Sequence, residues 1–355
     1  MCASSSQQQQ ASSAASLSNL PKLLQKKNGV KSCFTHYNKL VQHLVNLSGK
    51  KLEMQQKEVE KYSTILNSAF SLSTGSMPKA IQQEIMDEVC ETKFFYYSFI
   101  AFKCLPFETR KHVSTLYIIR MSWNSSEFDK TPALANHLTE PLNVIITQII
   151  EEDNENIVMH LHNILKSCFQ YYSTCKVVAE SSLFFGITKN FYNQSFMMKS
   201  NAFSCMVEFL SRDHDFIPNW TIKYLPKLKT IISNLITDAE FIDQMQLLKL
   251  LRTVMANNST FREELKKDMQ IYKQLIWIFS KKKKDKISEG TLHLIKLYFD
   301  SPEALYYLKR NYDSHILVAI ENNLEKSEAD LYIKTLQNSF KKHSKCIKAF
   351  EASID

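Results

Sequence analysis

The chain has 355 residues, of which 44% are apolar, but it holds only 5 Gly and 8 Pro, which argues against folds built on many tight turns. The few glycines also exclude the glycine-rich fingerprints of nucleotide-binding loops. The net charge of +8 comes from 44 basic and 36 acidic residues and favours an acidic partner only weakly. This composition predicts an all-α protein of long helices joined by short connections.

The first residues are Ser, Gln and Ala with almost no large apolar side chains, so they bury too little surface to offset the entropy of ordering the chain. We expect a disordered Ser/Gln-rich tail over residues 1–20. After this tail, apolar residues recur every three or four positions, as in Ile222, Leu225 and Leu228, which is typical of amphipathic helices. Residues 21–355 are therefore expected to form a single helical-repeat solenoid domain.

One kind of helix, a polar start followed by an apolar run, returns at a nearly fixed interval. Its predicted starts lie near Glu108, Asn154, Lys199, Ile242, Ile287 and Glu328. The successive spacings of 46, 45, 43, 45 and 41 residues fall in the range of armadillo and HEAT repeats. We expect a right-handed α-solenoid of about six such repeats, with a shared core and an extended concave surface that binds a partner.

Clusters of polar residues, Pro and Asn predict breaks between helices, among them 213–218, 257–259 and 281–285. The last of these breaks contains the strongest basic run of the chain, Lys281–Lys284, followed by Lys286. Such a run serves as a nuclear signal, as a nucleic-acid patch or as a solvated loop. Because no aromatic residues are interleaved with the lysines, the solvated loop is favoured, and a nuclear signal stays open.

Eight cysteines form no CxxC pair and lie mostly among apolar neighbours, as reduced core thiols do. The N-terminus lacks the apolar core of a signal peptide. The longest uncharged apolar run, Phe94 to Phe102, is too short to span a bilayer. We expect a soluble, cytoplasmic protein without membrane insertion.

No group of side chains in the sequence indicates a metal or catalytic centre. His160 and His162 stand two apart and point to different sides of a helix, whereas helical ligands of one metal lie three or four apart. Cys168 and Cys175 share a helix face but have no His or acid at ligand spacing. No calcium-binding loop can be written either. We expect no cofactor, no small-molecule substrate and no enzymatic activity.

Several short motifs occur in the order and at the spacing of a known scaffold family. They are Phe107-Glu108 with Lys111 and Val113, FMMKSNAF at 196–203, FLSR at 209–212, QLLKLL at 246–251 and Asp300-Ser301-Pro302. On these motifs, colinear from Val59 to Leu336, the chain resembles the mouse protein 25 family, also called the calcium-binding protein 39 family or HymA-like scaffolds. The resemblance implies a helical solenoid of six repeats without catalytic activity.

The resemblance also implies partners. Members of this family bind sterile-20-type protein kinases and pseudokinases over the concave face and hold them in an active conformation. In these members an apolar pocket near the C-terminal end takes a Trp-Glu-Phe tail of the pseudokinase. For this chain we expect a kinase or pseudokinase partner and a second kinase that joins the two in a ternary complex. A rigid surface that contacts only the active arrangement of a kinase shifts the population toward that arrangement.

Carried over to this sequence, the family's kinase-facing positions fall on five residues. Phe196 and Phe241 are the aromatic residues expected on the concave face, and Phe241 stands where the family usually has Tyr, so a hydroxyl is lost and the ring is kept. Lys309, Arg310 and His315 are expected to join this face from the last repeat.

The family's tail-binding pocket falls on Trp277, Met245 and Asn258. Met245 and Asn258 stand where the family has arginines that contact the tail. Neither side chain can make a bidentate contact with a carboxylate, so we expect this pocket to accept an apolar tail without selecting for its Glu. A lone Trp on an apolar helix is otherwise more typical of a core residue.

The sequence therefore predicts a non-enzymatic scaffold that binds and allosterically activates a sterile-20-type kinase or pseudokinase. The alternative is a HEAT-type cargo or RNA adaptor that uses the basic surface of the chain. Nucleic-acid binding would fall steeply with salt because counterions are released, whereas an interface built on aromatic anchors would depend less on salt. We do not expect nucleic acid as the main partner.

Overall fold

The structure, a computed structural model, describes most of the chain as helix. The described residues are 29–72, 87–89, 91–122, 132–193, 195–238, 240–281, 286–324 and 326–354. They contain no strand, which confirms the all-α class for this part of the chain. The predicted tail at 1–20 and most of the lysine run lie outside the described residues.

The chain divides into two compact units, Met1–Asn190 and Phe191–Asp355. The helices of the first unit are α1 (Gly29–Leu44), α2 (Gly49–Leu72), α3 (Phe94–Ile100), α4 (Phe107–Ser122), α5 (Pro132–Glu151), α6 (Glu155–Cys168) and α7 (Tyr172–Glu180). A short 3-10 helix, Phe102–Cys104, connects α3 to α4, and a second one, Phe184–Tyr192, follows α7.

The first unit is a two-layer arrangement. Helices α1, α3, α5 and α7 pack in that order in one layer, and α2, α4 and α6 form the other. Aromatic side chains fill the space between the layers: the rings of Tyr37 and Phe94 are 4.8 Å apart, and those of Phe99 and Tyr117 are 5.3 Å apart. All four side chains are buried, so the amphipathic pattern of the sequence corresponds to a packed core.

The second unit contains nine helices among the described residues. They are α8 (Phe196–Leu210), α9 (Ile217–Asp238), α10 (Phe241–Asn257), α11 (Ser259–Lys266), α12 (Met269–Lys281), α13 (Lys286–Lys296), α14 (Pro302–Asn323), α15 (Lys326–Lys342) and α16 (Ser344–Ile354). Helices α8, α10 and α13 pack side by side in one layer, while α9, α12 and α14 pack in a second. Helices α15 and α16 both pack against α14.

The repeated helix predicted from the sequence is present in both units. Helices α4, α6, α8, α10, α13 and α15 begin at residues 107, 155, 196, 241, 286 and 326, within three residues of the predicted starts. These starts are 48, 41, 45, 45 and 40 residues apart. The first two helices lie in one layer of the first unit and the next three in one layer of the second. This confirms a chain built of helical repeats.

Side-chain amides connect successive repeats through backbone carbonyls. The donors and acceptors are Gln56 to Cys104 O at 2.7 Å, Gln148 to Phe99 O at 2.6 Å, Asn190 to Ile149 O at 2.9 Å and Asn258 to Leu210 O at 3.0 Å. The carbonyls at the end of a helix have no partner within that helix. Amides from a neighbouring repeat therefore satisfy groups near helix ends that would otherwise be buried without a partner.

Within the described residues, no helix combines the length and the apolar character needed to cross a bilayer. The described cysteines, Cys33, Cys104, Cys168, Cys175, Cys205 and Cys346, are free thiols. Burial in the core raises the pKa of the Cys33 thiol to about 12. A thiol with so high a pKa stays protonated at neutral pH and acts as a small apolar core residue.

Candidate partner-binding site

Two neighbouring helices of the second unit begin with exposed apolar pairs. Phe196 and Met197 open α8, and Phe241 and Ile242 open α10. The two phenylalanines are 54% and 49% exposed, and the residue after each is exposed as well. Because α8 and α10 pack against each other, the four side chains project from adjacent helix starts. We call them the α8–α10 apolar surface.

The local sequence explains why the pair on α8 stays outside the core. The Ser195 hydroxyl accepts a hydrogen bond from the Met198 amide, so Ser195 caps the helix and fixes where it begins. Successive residues of a helix are rotated by about 100°. Met198 therefore enters the core, where it is 3% exposed, while Phe196 and Met197 remain on the outer side.

An ion pair joins the two helices next to this surface. Lys199 lies one turn after Phe196, and Asp243 lies two residues after Phe241. The Lys199 Nζ is 2.6 Å from the Asp243 Oδ2, and both side chains are largely buried. A hydrogen bond from the side-chain amide of Gln244 to the Ile236 carbonyl, at 3.0 Å, holds the start of α10 against the end of α9. The exposed phenylalanines are thus carried on helix starts with fixed positions.

Met245 and Trp277, the residues predicted at a tail pocket, lie on α10 and α12, and both of these helices pack against α13. Trp277 is 42% exposed, in contrast to the core position that a lone Trp more often takes, and Met245 is half-buried. An exposed indole is suited to contact with a partner.

Asn258, the third residue assigned to that pocket, has its side chain occupied at a helix junction. Its amide nitrogen donates to the Leu210 carbonyl and the Thr221 hydroxyl, and its carbonyl oxygen accepts from the Phe261 amide at 2.8 Å. The residue is buried and caps α11. The N–H donors of its side-chain amide therefore stabilise the junction between helices.

Lys309, Arg310 and His315 all lie on α14. The Lys309 Nζ is 3.2 Å from a carboxylate oxygen of Glu351 on α16, and the Arg310 guanidinium donates to the Tyr306 hydroxyl at 2.7 Å. Both cationic side chains are exposed, whereas the side chain of His315 lies outside the described residues.

Phe107 is a further exposed aromatic residue that was not assigned to the site from the sequence. It is the first residue of α4, it is 51% exposed, and its ring lies 5.4 Å from that of His160. Helices α4, α8 and α10 therefore share an exposed Phe as their first residue. The repeated helix start was the signal that could have identified it.

The two histidines considered as metal ligands have separate environments on α6. His162 is fully buried with its Nδ1 3.0 Å from the Val158 carbonyl, and burial lowers its pKa to about 4. His160 is half-buried against Phe107, and burial lowers its pKa as well. No group of three His, Cys, Asp or Glu side chains is placed to hold a metal ion in the part of the chain that the structure describes.

The chain is similar to several known proteins. A family model described as Mo25-like matches residues 23–303. The degreening-related gene dee76 protein of Auxenochlorella protothecoides is 24% identical over 190 residues, which cover 53% of this chain and 58% of that protein. The match thus spans less than two thirds of that relative. A crystal structure of an engineered protein has a TM-score of 0.44 at 10% identity and covers 74% of this chain and 96% of its own.

Proposed function

Because the chain belongs to the Mo25-like family, whose members are scaffolds rather than enzymes, we propose that it binds a sterile-20-type protein kinase or pseudokinase and activates it allosterically. The chain itself catalyses no reaction in this proposal. It acts in the cytoplasm as a right-handed solenoid of about six repeats, with the kinase on the concave face and room for a second kinase in a ternary complex.

The observation that carries the proposal is the α8–α10 apolar surface. Large aromatic side chains that stay half exposed on rigid helices are typical of binding hot spots, because the partner removes them from water at little cost in conformational entropy. Two such aromatic side chains, Phe196 and Phe241, and the exposed apolar residue after each of them make a patch on two packed helices rather than a scattered exposure. The Lys199–Asp243 pair holds the two helix starts in register and so favours a preformed site.

A preformed surface activates a kinase only if it binds the active arrangement more tightly than the inactive one. The kinase becomes active when its regulatory helix and activation loop are ordered together. If this protein binds only the ordered arrangement, it shifts the equilibrium between the active and the inactive kinase. The shift is set by the difference between the two binding free energies, and each difference of about 1.4 kcal/mol changes the ratio of active to inactive kinase tenfold. The Phe side chains supply binding free energy without any chemical group that reacts.

The test compares the Phe196→Ala/Phe241→Ala double variant with the wild type against a panel of sterile-20-type kinase domains. We expect binding to weaken by a few kcal/mol, as for hot-spot aromatics, and kinase stimulation to be lost, with an unchanged melting temperature. Ile222→Ala is the matched control, because Ile222 is 57% exposed on α9 and lies outside the surface. Its binding should equal that of the wild type.

Two results would contradict the proposal. Unfolding of the double variant would mean that both rings belong to the core. Wild-type binding that falls by orders of magnitude between low and moderate salt, with RNA as the retained ligand, would point to the adaptor alternative.

A further inference from the structure

The outer face of α1 in the first unit carries an open pocket with a volume of about 350 Å³. Its lining consists of side chains that donate hydrogen bonds or carry positive charge: Lys31, Ser32, Thr35, His36 and Lys39. All five residues are exposed, and α1 contains no acidic residue. The lining therefore favours an anionic ligand.

The buried side of α1 fixes which residues reach this outer face. Phe34 and Tyr37 are buried, and the rings of Phe34 and Phe94 lie 5.2 Å apart. The side-chain amide of Asn38 donates a hydrogen bond to the Thr92 carbonyl at 2.6 Å, which ties α1 to the segment before α3. Because helical residues three and four positions apart share a face, the lining residues of the pocket follow one side of α1 in two adjacent rows. The pocket thus lies on a helix with a fixed orientation.

The spacing of the two lysines lets both cations reach one ligand. Lys31 and Lys39 are eight residues apart, which is about 12 Å along a helix. Thr35 lies midway, about one turn from each of them, and the long, flexible lysine side chains can bend toward it. The Thr35 hydroxyl and a ring nitrogen of His36 supply hydrogen-bond donors between the two ammonium groups. The His36 ring packs against the ring of Tyr62 on α2, with the ring centres 4.7 Å apart.

One lysine of the pocket already pairs with carboxylates of the chain. The Lys31 Nζ lies 3.6 Å from Glu88 Oε1 and 3.9 Å from Glu91 Oε2. The side chains of Lys31 and Glu91 are mostly exposed, and an ion pair between exposed groups is weak because water screens it. An anionic ligand can therefore replace Glu91, while the largely buried Glu88 keeps Lys31 beside the pocket.

A phosphate monoester matches this set of donors. It carries about two negative charges at neutral pH and has three acceptor oxygens. Hydrogen bonds from a lysine to such an anion are charge-assisted and stronger than those between neutral groups. Small-molecule sites enclose most of their ligand, whereas this pocket is open along the face of one helix. A peptide chain that offers one phosphorylated side chain therefore fits better than a free metabolite.

A membrane surface or a nucleic acid fits these observations less well. A helix that lies on a bilayer buries an apolar face among the lipids, but the apolar side of α1 is covered by the core of the first unit. The bases of single-stranded nucleic acid stack on aromatic rings, and among the described lining residues His36 is the only one with a ring.

We propose that the pocket on α1 binds a phosphorylated serine or threonine side chain of a partner protein. The phosphate pairs with Lys31 and Lys39 and accepts hydrogen bonds from the side chains between them. Glu91 gives up its contact with Lys31 when the phosphate binds. The site lies in the first unit, uses no residue of the α8–α10 apolar surface and does not depend on the kinase proposal.

The experiment measures binding of the full chain to a fluorescein-labelled peptide, Gly-Ala-Ala-phosphoserine-Ala-Ala-Gly, by fluorescence polarisation at low salt. Two altered peptides separate the contributions: one has unmodified Ser in place of phosphoserine, and the other has Glu. We expect the Ser peptide to bind at least about tenfold more weakly, because it has no charge to pair with the lysines. The Glu peptide, with one charge and two oxygens, should bind severalfold more weakly than the phosphopeptide.

Four variants of the chain make the test specific. Lys39→Glu reverses a charge in the pocket and should weaken binding of the phosphopeptide at least about tenfold, whereas Lys39→Arg keeps the charge and should stay close to the wild type. Glu91→Gln removes the competing acid and should tighten binding severalfold. Lys103→Glu is the matched control, because Lys103 is an exposed lysine of the first unit outside the pocket lining, and it should change affinity less than about twofold.

The proposal is overturned if the Ser peptide binds as well as the phosphopeptide, or if Lys103→Glu weakens binding as much as Lys39→Glu, since either result means attraction by net charge alone. It is also overturned if phosphatidylserine vesicles or a single-stranded oligonucleotide bind in a Lys39-dependent way while the phosphopeptide does not. The gain expected for Glu91→Gln keeps the test decisive even if Lys39→Glu lowers the stability of the fold.

Discussion

Lys199 Nζ in α8 lies 2.6 Å from Asp243 Oδ2 in α10, so a short, largely buried ion pair spans 44 residues of sequence and joins two successive repeats. Each charge was removed from water when the repeats packed, and each now depends on the other for compensation. The pair lies within one helical turn of Phe196 and Phe241. Its loss would therefore affect both the stability of the repeats and the geometry of the exposed surface.

Removing one partner of this pair should be strongly destabilising. We expect Lys199→Met to lower the free energy of unfolding by about 3 kcal/mol, because the Asp243 carboxylate is left buried and unpaired. The double variant Lys199→Met/Asp243→Leu should recover most of that loss. Urea unfolding measures both. Lys111→Met, which breaks an exposed pair with Glu108, is the control and should cost less than 1 kcal/mol. Equal losses for Lys199→Met and the double variant would contradict the interpretation.

Asn258 should act on stability rather than on peptide recognition. Asn258→Ala removes the cap of α11 and leaves the Leu210 carbonyl without its donor, so we expect a loss of about 2 to 4 kcal/mol. Asn257→Ala, at the exposed neighbouring position, should cost under 1 kcal/mol. Asn258→Arg should lower the melting temperature without creating acid recognition. A stable Asn258→Arg protein that prefers acidic peptides would refute this role.

Gly186 lies where a side chain would collide with its neighbour. A Cβ built at this position would be 2.7 Å from the Cδ1 of Ile150. Gly186→Ala should therefore destabilise the first unit by about 1 kcal/mol, because this atom ends a half-buried side chain that can shift to make room. Adding Ile150→Val deletes that Cδ1 atom and should restore much of the stability. Gly290→Ala is the control, since its nearest neighbour is 3.6 Å away and Ala favours the helix. Thermal unfolding of the four proteins decides the matter.

His162 should make the fold sensitive to acid. Its pKa is about 4 in the folded protein because burial disfavours the charged ring, whereas an unfolded histidine titrates near 6.5. Between these values the unfolded chain binds more protons, so this contribution is complete above pH 6.5 and is lost as the pH falls toward 4.

We expect the wild type to lose about 2 kcal/mol more than His162→Gln between pH 7 and pH 5 in urea unfolding. His43→Gln, which removes an exposed histidine, is measured alongside as the control. If the free energy of unfolding fell equally with pH in the wild type and in His162→Gln, another group would govern the acid sensitivity.

Met245 stands at a tail-pocket position where the family has an arginine, and changing it tests what this difference does to peptide binding. A Trp-Glu-Phe peptide should bind weakly, and its Glu-to-Gln form should bind equally well. Met245→Arg should make the acid matter by about 1.5 to 3 kcal/mol, the strength of a charged hydrogen bond, when both peptides are titrated. Ala256→Arg adds the same charge at an exposed position of α10 and should not discriminate. A strong acid preference in the wild type would assign the contact to another residue, such as Lys249 or Arg252.

The helices could be predicted because their signal is local. The alternation of apolar and polar residues placed six helix starts within three residues of the observed ones, and the breaks at 213–218 and 257–259 coincide with the starts of α9 and α11. Phe196 and Phe241 are exposed in the structure, and their role in binding a partner stays a prediction.

What could not be predicted depends on residues far apart in sequence. Neither Lys199 nor Asp243 has a neighbour in the chain that indicates an ion pair across 44 positions. Asn258 carried a local signal, since Asn before a helix start is a preferred cap, but its bond to Leu210 requires the packed neighbouring repeat. The close approach of Gly186 to Ile150 is also set by packing alone.

The hydrogen bonds from side-chain amides between repeats have a consequence for ageing of the protein. Asn and Gln are thermolabile residues, and loss of the amide nitrogen from Asn190 or Asn258 would place a carboxylate opposite the carbonyl of Ile149 or Leu210. A donor would become an acceptor in a buried junction, and two oxygens would face each other. Slow deamidation of these few side chains would then limit the lifetime of the folded chain. The packing of the repeats protects the same side chains from water and so slows this reaction.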